Sequence, residues 1–259
     1  MAKPDERFSV SGTAVVTGAS SGIGKAIAEV FAEDGANVAV CSRESDNIQP
    51  VAREINQGAY EGEALAVECD VTDRDAVETV VEETVDEFGE VDVLVNNAGA
   101  SFMSGFDSLS PNAWSTVVDI NLTGTYNCTQ AAGDELKDGG GSVVNLSSVA
   151  GQQGAPYMSH YAAAKAGVIN LTTTLAHEWS GHGVRVNCVA PGFVATPGVE
   201  SQMGISADNI DRSEVDRRMG TSEEIADIVR FLSSPASSYI NGETVTARGV
   251  PDIMESPEV

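Results

Sequence analysis

Thr13–Lys25 reads TAVVTGASSGIGK, and this stretch decides the fold. Its first five residues form an apolar run of the kind expected for a strand covered on both faces of a parallel sheet. A glycine-rich turn follows, and the apolar pattern then predicts a helix over residues 23–34. The glycines have the spacing G-x-x-x-G-x-G. Gly18 permits a tight turn, Gly22 lets the backbone approach a pyrophosphate, and Gly24 lets the helix pack against the strand. Because a helix N-terminus offers free N–H groups to an anion, the stretch predicts a nucleotide-binding turn. The residues expected to line this turn are Gly18, Ser20, Ser21, Gly22, Ile23 and Gly24.

The same alternation of strand and helix continues along the chain. Further apolar runs predict strands over residues 37–41, 64–67, 91–95, 142–146, 184–189 and, more weakly, 244–246. Helical patterns between them cover residues 73–88, 111–136, 157–179 and 222–232. Strand–helix–strand repetition from end to end predicts an α/β fold with a doubly wound parallel sheet in one domain over residues 1–259. Residues 196–220 interrupt the alternation, and we expect an inserted substrate lid there.

The charge of the chain limits its partners. The 259 residues include 39 Asp and Glu but 14 Lys and Arg, which gives a formal net charge of -25. Nucleic acids and anionic membranes are therefore not expected partners, because no basic patch can neutralise phosphates. No apolar run approaches the roughly 20 residues of a membrane span, and the first residues lack the apolar core of a signal peptide. We expect a cytoplasmic protein.

The excess of scattered acids and the shortage of lysine predict a solvated acidic shell and a halophilic source. An ordinary acidic protein from a mesophile is the alternative. Cys41, Cys69, Cys128 and Cys188 have no metal-type spacing, so they are interpreted as buried reduced thiols, and no metal site is predicted.

Two strand ends indicate how the nucleotide is held. Ser42 and Arg43 follow the second strand, where NAD-binding folds carry an acid for the ribose hydroxyls and NADP-binding folds carry an arginine for the 2′-phosphate. NADP(H) is therefore the preferred cofactor and NAD(H) the other possibility, with Arg43 as a surface residue paired to neighbouring acids as the alternative reading. Asp70, before Val71, either contacts the adenine or caps the next helix. The small residues Asn97, Ala98 and Gly99 follow the fourth strand and suit a backbone close to the cofactor.

The pattern Tyr161-Ala-Ala-Ala-Lys165 points to proton transfer. Tyr and Lys four apart share one face of a helix, and Ser148 lies thirteen residues before the tyrosine. A nearby ammonium favours the phenolate and lowers its pKa, so the pair can exchange a proton with a carbonyl or alcohol oxygen that Ser148 holds. Ser147 is the less favoured serine.

These motifs, and the order in which they follow one another along the chain, resemble those of the short-chain dehydrogenase/reductase family over about residues 11–250. The resemblance implies a Rossmann-type sheet of about seven strands and a tetrad of Asn121, Ser148, Tyr161 and Lys165. Tyr161 would be the general acid or base, Lys165 would also bind the nicotinamide ribose, and Asn121 would hold a relay water. Residues that would flank the nicotinamide are Pro191, Gly192, Val194 and Thr196. A homotetramer, or a homodimer, is also implied.

These features predict an NADP(H)-dependent carbonyl reductase of the 3-oxoacyl-thioester or general ketone type. The alternative is a sugar or alcohol dehydrogenase that resembles glucose 1-dehydrogenase, works in the oxidative direction and uses NAD. A nucleotide-binding scaffold without chemistry is disfavoured because all four tetrad residues are present. The substrate pocket is expected from residues 100–107, 150–159 and the lid, with a partly apolar lining of Phe102, Met103, Tyr157 and Met203.

Overall fold

Seven parallel strands form one sheet in the computed structural model, which describes residues 6–215 and 217–250. The order across the sheet is β3-β2-β1-β4-β5-β6-β9. The strands of this sheet are β1 (Thr13–Thr17), β2 (Asn37–Ser42), β3 (Ala64–Glu68), β4 (Val93–Asn96), β5 (Ser142–Leu146), β6 (Arg185–Pro191) and β9 (Thr244–Ala247). Two further short strands, β7 (Val194–Ala195) and β8 (Gly220–Thr221), pair with each other. The predicted Rossmann-type doubly wound sheet is confirmed.

The strand order reverses at β1, and this reversal places the site. Ala14 of β1 pairs with Val38 of β2 on one side and with Val93 of β4 on the other. The connection after β1 leads to β2 on one side, and the connection after β4 leads to β5 on the other, so a crevice opens outside the carboxyl ends of β1 and β4.

Helices cover both faces of the sheet. Their bounds are α1 (Gly22–Glu33), α2 (Ser45–Gln57), α3 (Arg74–Phe88), α4 (Pro111–Val118), α5 (Gly124–Ala131), α6 (Gly133–Gly139), α7 (Val149–Gln153), α8 (Ser159–Trp179), α9 (Pro197–Met203) and α10 (Ser222–Ser233). One core cluster joins the sheet to α1, α2 and α10 through side chains such as Phe31, Ile48 and Leu232. A second cluster joins the other face to α3, α5 and α8. Burial on both faces explains why the strands read as continuous apolar runs.

The prediction of one helix over residues 111–136 is wrong. A π-helical turn, Asp119–Thr123, follows α4 directly, and α6 begins as a separate helix at Gly133. The side-chain amide of Asn121 donates to the carbonyl oxygens of Val117 (2.8 Å) and Ala100 (2.7 Å), so this residue ties the widened turn to the loop after β4. Such single π turns often occur at functional sites.

Two other helix predictions needed correction. The helix predicted over residues 157–179 begins at Ser159, because Tyr157 has a φ of 65°, outside the helical region. Helix α2 was not predicted. Its buried residues Ile48, Val51, Ala52 and Ile55 do follow a helical period, but Pro50 stands in the middle of the helix.

The stretch expected to form a lid contains α9, a 3-10 turn at Ala207–Asn209 and β8. The side chain of Met203, predicted to line the substrate pocket, lies outside the described residues. No helix in the described part of the chain is long and apolar enough to cross a membrane.

Candidate active site

A crevice of about 370 Å³ lies at the carboxyl end of the sheet, where the strand order reverses. Thirteen of the residues predicted to bind the cofactor line it: Gly18, Ser20, Ser21, Gly22, Ile23, Ser42, Arg43, Asp70, Val71, Asn97, Ala98, Gly99 and Thr196. Four other lining residues were not predicted to bind the cofactor: Cys69 and Ile120, and also Ala100 and Gly198, which were expected in the substrate pocket and the lid. Cys69 directly precedes Asp70, and Ala100 directly follows Gly99. Their positions next to predicted cofactor-binding residues could therefore have identified them.

The glycine-rich turn is packed closely and needs its glycines. A Cβ on Gly18 would lie 2.8 Å from the Cα of Ala98, and one on Gly24 would lie 2.5 Å from the carbonyl oxygen of Gly18. Gly22 adopts a φ of 56°, which few other residues adopt. Ser21, at the N-cap of α1, makes no side-chain hydrogen bond to the first turn. The N–H groups of that turn therefore remain available to an anion.

The segment after β4 is clamped to the end of β1. The side-chain amide of Asn97 donates to the carbonyl oxygens of Thr17 (2.9 Å) and Gly18 (3.0 Å). The Thr17 hydroxyl accepts from the backbone N–H groups of Asn97 and Ala98, both at 3.0 Å. This mutual bonding fixes one wall of the crevice against its glycine-rich floor.

Arg43 lies at the end of the crevice beyond β2. Its side chain is exposed and makes no ion pair or hydrogen bond within residues 6–215 and 217–250. Glu44 instead accepts from the side-chain amide of Asn47 at 2.8 Å, and its backbone oxygen accepts from the Ser42 hydroxyl at 3.2 Å. The structure therefore does not show the alternative in which neighbouring acids neutralise Arg43.

Asp70 holds the turn between β3 and α3. Its carboxylate accepts from the backbone N–H of Thr72 (2.9 Å) and from the Thr72 hydroxyl (2.7 Å). The N-cap of α3 is Asp73, which accepts from Asp75 and Ala76. Asp70 thus does not cap the helix, although it does line the crevice.

Helix α8 carries Tyr161 and Lys165 on one face, as predicted. The Lys165 nitrogen lies 5.7 Å from the centroid of the Tyr161 ring and donates to the carbonyl oxygen of Leu146 at 2.7 Å. Lys165 is buried, and burial lowers the pKa of its ammonium to about 8. A lysine with this pKa changes charge close to physiological pH.

The side chain of Tyr161 is half-buried, and desolvation raises the pKa of its phenol above the usual value for tyrosine. The nearby Ser148 hydroxyl lowers this pKa, but its effect is the smaller one. The expectation that Lys165 lowers this pKa is therefore not what the structure shows, since desolvation of the phenolate dominates. A raised pKa keeps the phenol protonated at neutral pH, as a proton donor requires.

The two adjacent serines have different surroundings. The Ser147 hydroxyl is buried and donates to the backbone oxygen of Lys165 at 2.8 Å. Ser148 accepts from the backbone N–H of Ala150 at 3.1 Å, at the start of α7, and its hydroxyl influences the pKa of Tyr161. Ser148 is thus the serine next to the Tyr161 phenol, while Ser147 supports the helix that carries it.

Asn121 lies at the inner end of the site. Its side-chain oxygen is buried and has no hydrogen-bond partner among the described residues. A Cβ on Gly99 would lie 2.8 Å from that oxygen and 3.6 Å from the Lys165 nitrogen. The absence of a side chain at Gly99 therefore keeps the space between Asn121 and Lys165 open to a small polar molecule.

The family model described as short chain dehydrogenase matches residues 12–204. The chain belongs to the short-chain dehydrogenase family. It is an NAD(P)-dependent oxidoreductase that acts on CH–OH or carbonyl groups.

Relatives of this short-chain dehydrogenase include proteins named 3-oxoacyl-[acyl-carrier-protein] reductase. The enzyme from Synechocystis sp. is 42% identical over 240 residues, which are 91% of this chain and 95% of the relative. The enzyme from Thermotoga maritima is 39% identical over 237 residues, with coverage of 91% and 95%.

Solved structures with the same fold support the family assignment. A short-chain dehydrogenase/reductase from Mycobacterium marinum has a TM-score of 0.86 and 36% identity, and the match covers 94% of this chain and 97% of that one. A protein from Beutenbergia cavernae, described as a proposed NAD(P)-dependent gluconate 5-dehydrogenase with NADP bound at low occupancy, has a TM-score of 0.83 and 36% identity. That match covers 94% of this chain and 98% of that one.

Several residues predicted from the short-chain dehydrogenase resemblance do not line the crevice itself: Gly24, Asn121, Ser148, Tyr161, Lys165, Pro191, Gly192 and Val194. Gly24 packs beneath the turn. Pro191 ends β6, and the Gly192 N–H donates to the carbonyl oxygen of Ala247 at 2.8 Å. Val194 belongs to β7, whereas Thr196 caps α9 and reaches the crevice.

Proposed function

We propose that this short-chain dehydrogenase is an NADP(H)-dependent carbonyl reductase that acts on 3-oxoacyl thioesters or related ketones. The observation that carries the proposal is the surroundings of Tyr161. Its half-buried phenol has a raised pKa, lies beside the Ser148 hydroxyl and is one helical turn from a buried lysine. A protonated phenol held in this way can donate a proton to a carbonyl oxygen as the carbonyl is reduced.

The crevice fits a nicotinamide dinucleotide. The glycine-rich turn and the open N-terminus of α1 would hold the pyrophosphate, and Arg43 would bind a 2′-phosphate with its guanidinium fork. Asp70 and Val71 would flank the adenine, and Lys165 would bind the nicotinamide ribose. When bound, the cofactor supplies or accepts the hydride.

The protein's own part in the reaction is to hold the carbonyl and move a proton. Ser148 and Tyr161 would bind the reacting oxygen, and Tyr161 would donate its proton to it. Lys165 would bias the protonation of the phenol once the site is filled, because its own pKa of about 8 lets it carry charge at neutral pH. The unpartnered oxygen of Asn121 would accept from a water on the path by which the proton is replaced.

The thioester class is proposed from the 3-oxoacyl-[acyl-carrier-protein] reductases among the relatives. Apolar side chains around the mouth of the site agree with an acyl substrate, because Phe102, Met103 and Tyr157 are all substantially exposed. A sugar dehydrogenase that uses NAD is less supported, since the two relatives named above are reductases and Arg43 has no ion-pair partner among the described residues.

The test is a substrate panel with the purified enzyme. Acetoacetyl thioesters, simple ketones, glucose and gluconate should be assayed with NADPH, NADH, NADP⁺ and NAD⁺, each at low salt and in molar KCl. We expect the highest kcat/KM for an acetoacetyl thioester with NADPH. A higher kcat/KM for sugar oxidation with NAD⁺ would establish the alternative instead.

We also propose a homotetramer, or a homodimer. Trp114 of α4 and Tyr126 of α5 are more than one third exposed in the single chain, on helices expected at an interface. Light scattering of the native enzyme and of Trp114→Glu tests this: the native particle should be an oligomer and the variant smaller. A native particle with the mass of one chain would contradict it.

A further inference from the structure

His160 is a fully buried histidine without a hydrogen bond. Its relative exposure is 0%, and neither ring nitrogen has a partner among the described residues. A neutral imidazole carries one donor and one acceptor, and leaving either unpaired in the interior is unfavourable. An unpaired buried polar group therefore needs an explanation. One explanation is that a bound ligand supplies its hydrogen-bond partner.

The position of His160 connects it to the reaction. It lies in the first turn of α8, immediately before Tyr161. The preceding Ser159 also has a buried hydroxyl without a partner in the part of the chain that the structure describes. Two consecutive polar side chains beside the proposed proton donor thus have no hydrogen-bond partner within residues 6–215 and 217–250.

The loop after β4 closes over this turn. The backbone N–H of Ser104 donates to the carbonyl oxygen of Tyr157 at 2.8 Å, which fastens the loop to the segment before α8. Tyr157 is the one non-glycine residue with positive φ in the described chain, so the backbone is strained where the two segments meet. Strain of this kind is concentrated at ligand-binding positions.

Phe102, on the same loop, covers the imidazole. The two rings meet edge to face, with centroids 4.5 Å apart and planes at 73°. Phe102 is 42% exposed, whereas His160 is not exposed at all. The same loop begins at Ala100, which lines the cofactor crevice and accepts from Asn121. Phe102 therefore shields His160 from solvent on the side of this loop.

We propose that His160 is a specificity-determining residue that donates a hydrogen bond to a second carbonyl group of the substrate, with Phe102 covering the imidazole until that substrate binds. This inference rests on the proposed carbonyl reductase function. The reacting oxygen already has Tyr161 and Ser148 as partners, so a donor one residue away serves a different oxygen. A 3-oxoacyl thioester has such an oxygen, two carbons from the reacting carbon, and a simple ketone does not. A site that hydrogen-bonds a substrate group rejects analogues without it, because its own polar group is then left unpaired.

The kinetic test compares two substrates of matched size. One is acetoacetyl-N-acetylcysteamine, and the other is the ketone in which a CH₂ group replaces its thioester carbonyl. In His160→Phe, kcat/KM should fall by about 10- to 100-fold for the thioester and stay nearly constant for the simple ketone. His160→Asn keeps a donor and should restore part of the preference. Equal losses for both substrates would show a structural role and overturn the proposal, as would an unchanged ratio.

A binding measurement separates this inference from the proposed function. The chain has three histidines, at positions 160, 177 and 182, so ¹⁵N-histidine labelling gives few signals, and His160→Asn identifies the one that belongs to His160. With NADP⁺ present, the thioester should shift the ring-nitrogen signals of His160, and the simple ketone should not. No shift with the thioester would overturn the role of His160. If the shift occurs but NADPH is not consumed with either substrate, the reductase assignment is wrong and the binding role of His160 stands.

Discussion

The Lys165 nitrogen and the carbonyl oxygen of Leu146 lie 2.7 Å apart, and this hydrogen bond joins α8 to the end of β5. The ammonium is thereby held at the carboxyl edge of the sheet, in surroundings that lower its pKa to about 8. One neutral carbonyl group does not offset the loss of water around a cation. The position of this lysine therefore lowers the stability of the fold and places a cation at the site.

Lys165→Met should raise the free energy of unfolding at pH 7, by up to about 3 kcal/mol. The reason is that the pKa of Lys165 is about 8 in the folded chain, compared with 10.5 for an unperturbed lysine. Between these values the unfolded chain binds more protons, so the native enzyme gains stability as pH rises and the advantage of the variant shrinks. Urea unfolding at pH 7, 8.5 and 10 measures this. Lys137→Met, at an exposed ion pair with Asp134, is the control and should show no such trend. A pH-independent difference for Lys165→Met would contradict the prediction.

Tyr161→Phe should reduce kcat by about 10²- to 10⁴-fold while NADPH still binds, because the phenol contributes proton transfer. The rates of the native enzyme should also change with pH in a defined direction. Carbonyl reduction needs the protonated phenol and should decline at alkaline pH, whereas alcohol oxidation needs the phenolate and should rise. Steady-state rates in both directions and NADPH fluorescence titration check these statements. Near-normal turnover of the variant would remove Tyr161 from the mechanism.

The sheet was predictable from the sequence because its strands are buried on both faces and read as continuous apolar runs. The glycine-rich turn and the Tyr161–Lys165 pair were predictable because the spacing of their residues is that of a tight turn before a helix and of one face of a helix, respectively. The π turn at Asn121 was not, since a helix and a helix with one widened turn share the same apolar period. Likewise, the sequence does not show that burial outweighs other effects on the pKa of Tyr161.

Contacts between distant segments account for the rest. In the sequence, His160 is one of several polar residues of α8. Only the fold shows that Phe102, on the loop after β4, packs against its ring. Sequence patterns also could not show whether Arg43 pairs with Glu44. That depends on Glu44 bonding with Asn47 at the start of α2, a helix that Pro50 concealed.

Ser147→Ala and Ser148→Ala should separate stability from catalysis. Ser147→Ala loses a buried hydrogen bond to the backbone oxygen of Lys165 and should lower the free energy of unfolding by about 1 kcal/mol, with kcat little changed. Ser148→Ala should lower kcat by about a hundredfold, because a hydrogen bond to the reacting oxygen is lost. Urea unfolding and initial rates of both variants measure the two effects. The reverse pattern would make Ser147 the reactive serine.

Salt should stabilise the enzyme. Helix α3 is an example, since its exposed face carries six acids: Asp75, Glu78, Glu82, Glu83, Asp86 and Glu87. Repulsion among such charges extends over about 30 Å at 0.01 M salt but only about 3 Å at 1 M, so Tm should rise with KCl. Glu82→Lys lies one helical turn from Glu78 and from Asp86 and should weaken the salt dependence. A Tm that does not change with KCl would refute the halophile hypothesis.

Replacing Ser42 and Arg43 should reverse the cofactor preference. The native enzyme should have the higher kcat/KM with NADPH, because the exposed guanidinium of Arg43 can make charge-assisted hydrogen bonds to a 2′-phosphate that NADH lacks. In Ser42→Asp/Arg43→Val, a carboxylate replaces the hydroxyl and can accept from the ribose hydroxyls, so kcat/KM should become higher with NADH. Loss of one such contact corresponds to about a 10- to 100-fold change for NADPH.

Arg53→Val is the matched control for the Arg43→Val change in that double variant. It removes one positive charge from an exposed arginine of α2 that does not line the crevice, and it should leave the ratio of kcat/KM for the two cofactors unchanged. Salt acts in two ways on the native enzyme: it screens the repulsion between NADPH and a protein of net charge -25, and it weakens the local contact with Arg43. The preference should therefore be compared at several KCl concentrations. If the native enzyme has the higher kcat/KM with NADH at each of them, Arg43 is a surface residue, and Ser42 or Glu44 must hold the ribose.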